Sequence, residues 1–244
     1  MRGRHRVGPH RRPRDASERD GDRDLHLPVM AATLQTTPVP AEAASRIEAL
    51  RAALASRKTP APSDADGARP AAVLIPLHFH DGEWHVILNV RSQFVGMHQG
   101  EIAFPGGKYE PSDPDMLACA LREAHEEMGI APEDVDVIGS LEPVLTRTDY
   151  LVWSTVGVIP HPYRFEVDEN EVAEIIEIPL DHLLTDAAER HEARLQPDGS
   201  LLQRKAYVHG PNLVFGATAW ILAQLLDLLR ALRPEDAGQE KETA

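Results

Sequence analysis

Three glutamates, Glu123, Glu126 and Glu127, crowd into five positions just after a glycine-bearing loop, Gly106-Gly107. Carboxylates held this close repel one another, so a fold rarely gathers them without a cation. Hard divalent cations such as Mg²⁺ take oxygen ligands and are commonly shared with substrate phosphates. The residue types and their spacing therefore suggest a metal site for phosphate chemistry, with Glu123, Glu126 and Glu127 as ligands. The alternative is the solvated acidic face of an amphipathic helix. Arg122 directly beside the trio and the glycine loop ahead of it favour the metal.

A helix must carry these residues. Asp113 followed by Pro114 reads as its start, an N-cap acceptor and then proline at the first helical position. Gly129 after Met128 reads as its stop. At about 100° per residue, Leu117, Ala120, Leu121, Ala124 and Met128 share one side, with the glutamates roughly opposite. Glu123 and Glu127 are four apart and stack one turn above the other.

In this order the residues resemble the Nudix box of the Nudix hydrolases. That box runs Gly, five residues, Glu, seven residues, then Arg-Glu-apolar-x-Glu-Glu-x-Gly-apolar. The second half is intact from Arg122 to Ile130. The first half departs: Gly107 to Arg122 spans 122 − 107 = 15 positions, one more than the pattern, and Asp113 stands for the first glutamate. One inserted residue explains both. Upstream, residues 91–107 resemble the extra motif of the coenzyme A diphosphatase branch at Arg91, Ser92, His98, Gly100, Phe104, Pro105, Gly106 and Gly107. Gly96 departs where that branch carries an arginine able to grip a phosphate in a fork. Downstream segments extend the likeness to roughly Ala71–Leu229, with Asp149 where the branch tends to have glycine.

The resemblance implies a Mg²⁺- or Mn²⁺-dependent hydrolase of a small nucleoside diphosphate compound, with coenzyme A (CoA) or a derivative cut to phosphopantetheine and 3′,5′-ADP. A Nudix hydrolase for ADP-ribose or a damaged nucleotide, and a Nudix-fold ligand sensor without turnover, are the other readings. The intact trio speaks against the sensor. Arg122 is expected to orient a carboxylate. Glu171 or Glu174 is the base or an added ligand; either can equally be a solvated acid. Asp113 supplies an outer ligand or caps the helix. Arg91, Ser92, His98, Phe104, Gly106, Gly107 and Lys108 form the expected substrate-binding set, although His98 can be a structural histidine and Lys108 simply exposed. Phe94 is a candidate for stacking on adenine. Trp84, Trp153 and Trp220 are assigned to core, and Cys119 is read as a spectator.

Around these residues, 244 positions suffice for one such domain plus tails. The net charge, 25 − 39 = −14, argues against nucleic acid as a partner. One cysteine excludes a disulfide framework, and no apolar run reaches the roughly 20 residues of a membrane span. A cytoplasmic location and a small-molecule substrate are expected, and a homodimer is compatible with the sequence. Residues 1–40 are expected as a disordered tail. Residues 1–29 carry eight arginines and five acids, and Met30 reads as the natural start. Residues 41–70 divide into an amphipathic helix, 41–58, and a Pro/Ala/Asp linker. Residues 71–231 form the domain, and 232–244 a second disordered tail.

Within the domain, strands are expected at Val73–Leu77 and Trp84–Val90 around an Asp81-Gly82 turn. Others are expected at Ile102–Phe104, Val135–Leu141, Ser154–Ile159 and Glu174–Ile178, with a late hairpin at Tyr207-Val208 and Leu213–Phe215. A helix closes the domain at Ala217–Arg230. The pattern gives an α+β fold; the resemblance implies the Nudix α/β/α sandwich with a mixed central sheet.

Overall fold

β1 (Arg69–His80) and β2 (Glu83–Arg91) are joined by Asp81 and Gly82 at φ 50° and 88°. This is the left-handed pair that a two-residue hairpin turn requires, and Asp-Gly supplies it cheaply. The computed structural model describes residues 38–55, 57, 67–94, 99–195 and 199–233. Residues 1–37 and 234–244 of the tails expected at 1–40 and 232–244, most of the linker expected over 59–70, and Gly96 and His98 lie outside the described residues.

β1 is longer than the five residues expected at Val73–Leu77, starting inside the expected linker at Arg69 and running on to His80. Proline removes only its own N–H from a ladder, and β1 continues through Pro70 and Pro76. It pairs with β7 (Tyr150–Val158) in parallel, Pro76 standing opposite Gly157. All other neighbours are antiparallel. The order is β3 (Ile102–Ala103), β2, β1, β7, β5 (Asp136–Ser140). β4 (Gly106–Lys108) lies beside β1, β6 (Val144–Leu145) beside β7, and β8 (Val172–Pro179) beside β2.

Side chains alternate across this mixed sheet. Ile75, Leu77, Val86 and Leu88 pack on one face against α1 (Ala41–Ala55) and α4 (Gly216–Ala231). Ala72, Leu74, Ile87 and Trp153 pack on the other against Cys119, Ala120, Ala124 and Met128 of α2 (Met116–Met128). The architecture is an α/β/α sandwich. α1, assigned by the sequence to a segment ahead of the domain, belongs to this core. Trp84 Nε1 donates to the Ala43 carbonyl at 3.0 Å, and Arg46 and Arg51 pair with Asp181 and Asp136 at 2.8 and 2.6 Å. A short helix, α3 (Leu180–Leu183), leads into a separate three-stranded sheet of β9 (Glu189–Leu195), β10 (Leu201–His209) and β11 (Asn212–Val214).

Several expectations are corrected. Asp115, not Asp113, caps α2, its side chain accepting from Ala118 N at 2.8 Å. Asp113 is drawn into a pair with Arg122, so Pro114 precedes the cap. Leu117 is exposed, because the stripe facing the sheet runs through Met116, Cys119, Ala120 and Ala124, small residues that allow close approach. Trp220 is exposed, with the Arg204 guanidinium 4.9 Å from its ring centroid; Trp84 and Trp153 are buried. β9 was not expected, since Glu189–Leu195 shows no apolar alternation. Asp149 adopts φ 58°, the conformation for which glycine is the default residue, and its carbonyl accepts from Arg69 N at 2.7 Å. The turn survives that departure.

Candidate active site

The loop and helix meet through the absence of a side chain. A Cβ on Gly107 would overlap the Glu123 carboxylate, and one on Gly106, at φ 159°, would overlap the Ala72 carbonyl and Val73. Two glycines therefore let β4 run between β1 and α2 and present its amides to the helix. Gly106 N donates to Glu127 Oε2 at 3.2 Å.

Glu127 is the most deeply placed carboxylate, 3% exposed. Asn89 Nδ2 on β2 also donates to its Oε2, at 3.1 Å, and Arg91 Nη1 stands 4.0 Å from its Oε1. Burial is the dominant influence and pushes its pKa up to about 8, against the opposing pull of the Gly106 amide and Arg91. Glu123, also shifted upward chiefly by burial, is part-buried, and Glu126 lies outermost. The trio thus runs from interior to solvent, rather than standing together on an outer face. The cause is the loop 99–108 and β2, which cover one flank of α2.

Arg122 ties the group together. Its Nε and Nη2 hold both oxygens of buried Asp113 at 2.9 and 3.0 Å, a forked pair. Its Nη1 donates to Glu123 and Glu126, each at 3.0 Å, and its Nη2 reaches the Lys108 carbonyl at 3.1 Å. The Arg122 hydrogen bond holds Asp113 below the usual carboxylate range. Asp113 also accepts from Glu110 N at 2.9 Å, so it positions arginine and loop instead of capping the helix.

Glu171 arrives by a different route. Gly129 closes α2 at φ 69°, and the chain returns later to the same end. Glu166 N donates to the Met128 carbonyl and Asp168 N to the Glu127 carbonyl, both at 3.0 Å. The Glu171 carbonyl then accepts from Ser92 N at 2.8 Å. The Glu171 carboxylate lies near enough to raise the pKa of both Glu123 and Glu127. Glu174 is on β8 opposite Val90, which places it on the sheet face turned away from α2.

The expected substrate-binding residues divide. Arg91 points toward Glu127 and keeps a buried Nε without a hydrogen-bond partner. Ser92 is buried and accepts from Phe94 N at 3.2 Å. Phe104 sits in the core with α1 and α4, anchoring the glycine loop from behind. Lys108 and Phe94 are exposed. Cys119 is fully buried, its Sγ 3.4 Å from the Lys108 carbonyl, and burial pushes the thiol up to about 12; it is a spectator. Sequence reasoning missed Asn89. Its signal was a lone amide within the apolar run Trp84–Val90.

The NUDIX domain family model matches residues 68–198. The chain belongs to the Nudix hydrolases. Among its relatives, an uncharacterized Nudix hydrolase NudL of Enterobacter sp. (strain 638) is 38% identical over 157 residues, 64% of this chain and 81% of that protein. The peroxisomal coenzyme A diphosphatase NUDT7 of Mus musculus is 40% identical over 113 residues, 46% of this chain and 48% of that protein. A MutT/nudix family protein from Enterococcus faecalis superposes with a TM-score of 0.47 at 13% identity, covering 80% of this chain and 76% of the other.

Proposed function

We propose that this chain is a divalent-metal-dependent hydrolase of the pyrophosphate bond in coenzyme A or a CoA derivative, releasing phosphopantetheine and 3′,5′-ADP. The observation that carries the reading is Glu127: a buried carboxylate beside Glu123 and Glu171, with a raised pKa and only partial compensation from Arg91. Such a group suits a bound dication, because the cation replaces the proton that burial otherwise favours. Glu123, Glu126 and Glu127 would hold Mg²⁺ or Mn²⁺, an all-oxygen set appropriate to hard ions. When bound, the ion polarises phosphoryl oxygens, acidifies water and neutralises leaving charge.

The chain's own residues account for the rest. Arg122 fixes Glu123 and Glu126 through its grip on Asp113. Asn89 and the Gly106 amide orient Glu127 and leave Oε1 directed toward Arg91. Arg91, whose Nε lacks a partner, meets a phosphate oxygen. Glu171 takes the proton from the attacking water. The resemblance of residues 91–107 to the CoA branch and the likeness to the mouse diphosphatase favour CoA over other pyrophosphates, in a cytoplasmic setting.

A turnover panel with Mg²⁺ and Mn²⁺ tests this, comparing CoA, dephospho-CoA, ADP-ribose and nucleotides. CoA should be cleaved. Because Gly96 replaces the branch's arginine, preference for CoA over dephospho-CoA should be weak, lowered roughly ten- to a hundredfold by one lost charge-assisted hydrogen bond. Brisk cleavage of ADP-ribose with none of either CoA compound would overturn the substrate assignment and leave the family standing.

A further inference from the structure

At the other end of the same sheet face lies a cluster that the hydrolase chemistry does not use. His78 and His80 project from the end of β1, and His85 from the start of β2 directly opposite His78 in the register. Glu177 on β8 faces them, and His161 follows β7, its ring 4.9 Å from that of His78 and stacked on His80 at 4.5 Å. Imidazoles crowd here as carboxylates crowd around α2. His80 and His85 stack with centroids 3.8 Å apart.

The hydrogen bonds give each ring a direction. His85 Nδ1 is 3.3 Å from the Glu83 carbonyl. His80 Nδ1 lies 3.3 Å from Asp81, and its buried Nε2 lies 3.1 Å from Glu177 Oε2. His78 Nε2 pairs with the same Glu177 Oε2 at 3.1 Å, and its Nδ1 is buried without a hydrogen-bond partner, in a residue only 1% exposed. Buried polar atoms are rarely left unsatisfied without a reason. Rings held at one nitrogen by a carboxylate or carbonyl, as His78 and His85 are, have the arrangement that orients imidazoles as metal ligands.

We infer a second metal site, formed by His78, His80 and His85 and oriented by Glu177, that takes a borderline transition-metal dication of the Zn²⁺ class. One ring nitrogen from each histidine lies within 4.8 Å of the others. A tetrahedral shell with metal–nitrogen bonds of about 2.0–2.1 Å needs them about 3.4 Å apart, so ring tilts of about an ångström close the site. Imidazole-rich donors select Zn²⁺, Co²⁺, Ni²⁺ or Cu²⁺ over Mg²⁺ and Ca²⁺. The three ligands come from two neighbouring strands, so the bound ion cross-links β1 and β2 at their ends, with Glu177 of β8 holding two of the rings. It is separated from the carboxylates: His85 and Asn89 are four residues apart on β2, about 13 Å.

The full chain, stripped with chelator and returned to excess Mg²⁺, is titrated with Co²⁺ and followed by visible absorption. One Co²⁺ should bind with the intense bands of a four-coordinate nitrogen-rich site, and Zn²⁺ should displace it. His80→Asn and Glu177→Gln, both at partly exposed positions, should each weaken binding about tenfold or more. Glu126→Gln should leave it unchanged, and His80→Asn should leave Mg²⁺-dependent turnover unchanged. Absorption that Mg²⁺ abolishes, or equal Co²⁺ affinity in wild type, His80→Asn and Glu177→Gln, would overturn the site. Co²⁺ binding without CoA hydrolysis would leave it intact and remove only the substrate assignment.

Discussion

The two ends of the α2 face of the sheet solve opposite electrostatic problems with the same scaffold. At one end Glu123, Glu127 and Glu171 gather negative charge around a buried carboxylate, with Arg91 and Arg122 supplying part of the balance. At the other, His78, His80, His85 and His161 gather imidazole rings against one another, with Glu177 as the acid. Burial acts on both in the direction of neutrality. It raises Glu127 and lowers His85 and His161, the histidines being pushed down further by their neighbours. Oxygen donors at one end and nitrogen donors at the other are suited to different ions, although both lie along β2.

The largest test of this contrast is pH. In the chelator-treated protein, the folded state keeps a proton on Glu127 up to about pH 8, whereas an unfolded glutamate releases it near 4.5. Its contribution is therefore complete below about pH 4.5 and is lost as pH rises to about 8, roughly 3–5 kcal/mol in all. His85 and His161 run the other way. Their folded values are lowered, chiefly by burial, so that contribution is present above about 6.5 and lost as pH falls. Denaturant melts across pH 5–8 should show stability falling with rising pH in wild type, and the opposite slope in Glu127→Gln. Parallel slopes would break the comparison.

Catalysis separates the ends next. Glu127→Gln should lower turnover at least about a hundredfold with the fold retained, since charge stabilisation by such a group is worth several kcal/mol at the transition state. Near-normal turnover would remove Glu127 from the site. Asp113→Asn should have a smaller effect. Weakening one charge-assisted pair with Arg122 should cost about 1–2 kcal/mol of stability and about tenfold in kcat, with KM little changed. A change confined to stability would reduce Arg122 to a structural role.

How much could be read beforehand follows the same divide. The carboxylate end was legible because its residues are local: Arg122 to Gly129 are neighbours in sequence, and helical periodicity places them. Asn89 and the route of Glu171 were not, since each depends on a tertiary hydrogen bond, Asn89 across from β2 and Asp168 to the end of α2. Asp113 was misassigned because Asp-Pro is a local cap signal, and a long-range guanidinium outweighed it. The histidine end was missed altogether. Four of its members are spread over 78–85 and 161, and only strand register brings them together. The long strands of the main sheet were found where apolar runs marked them, and β4, β6, β9 and the first part of β10, which lack such runs, were not.

The smallest effect concerns the turn that tolerates Asp149 at φ 58°. Asp149→Gly relieves the left-handed conformation but frees the unfolded chain, so a net gain of at most about 1 kcal/mol is expected. A one- to several-degree rise in Tm with unchanged turnover would place this turn outside the contrast; lost turnover would bring it in.

Glu127 also lends its main chain to the site, and this has a consequence for how the site breathes. Its side chain turns inward, while its carbonyl holds the Asp168 amide at 3.0 Å and so carries the strand of chain that delivers Glu171. The last turn of a helix is where fraying begins. Each time that turn loosens, the Asp168 hydrogen is released to solvent, Glu171, the proposed base, swings away, and Glu127, the innermost proposed ligand, loses its seat in one event. The exchange rate of this single amide is thus a clock for the lifetime of the assembled centre, readable in protein that is turning over nothing.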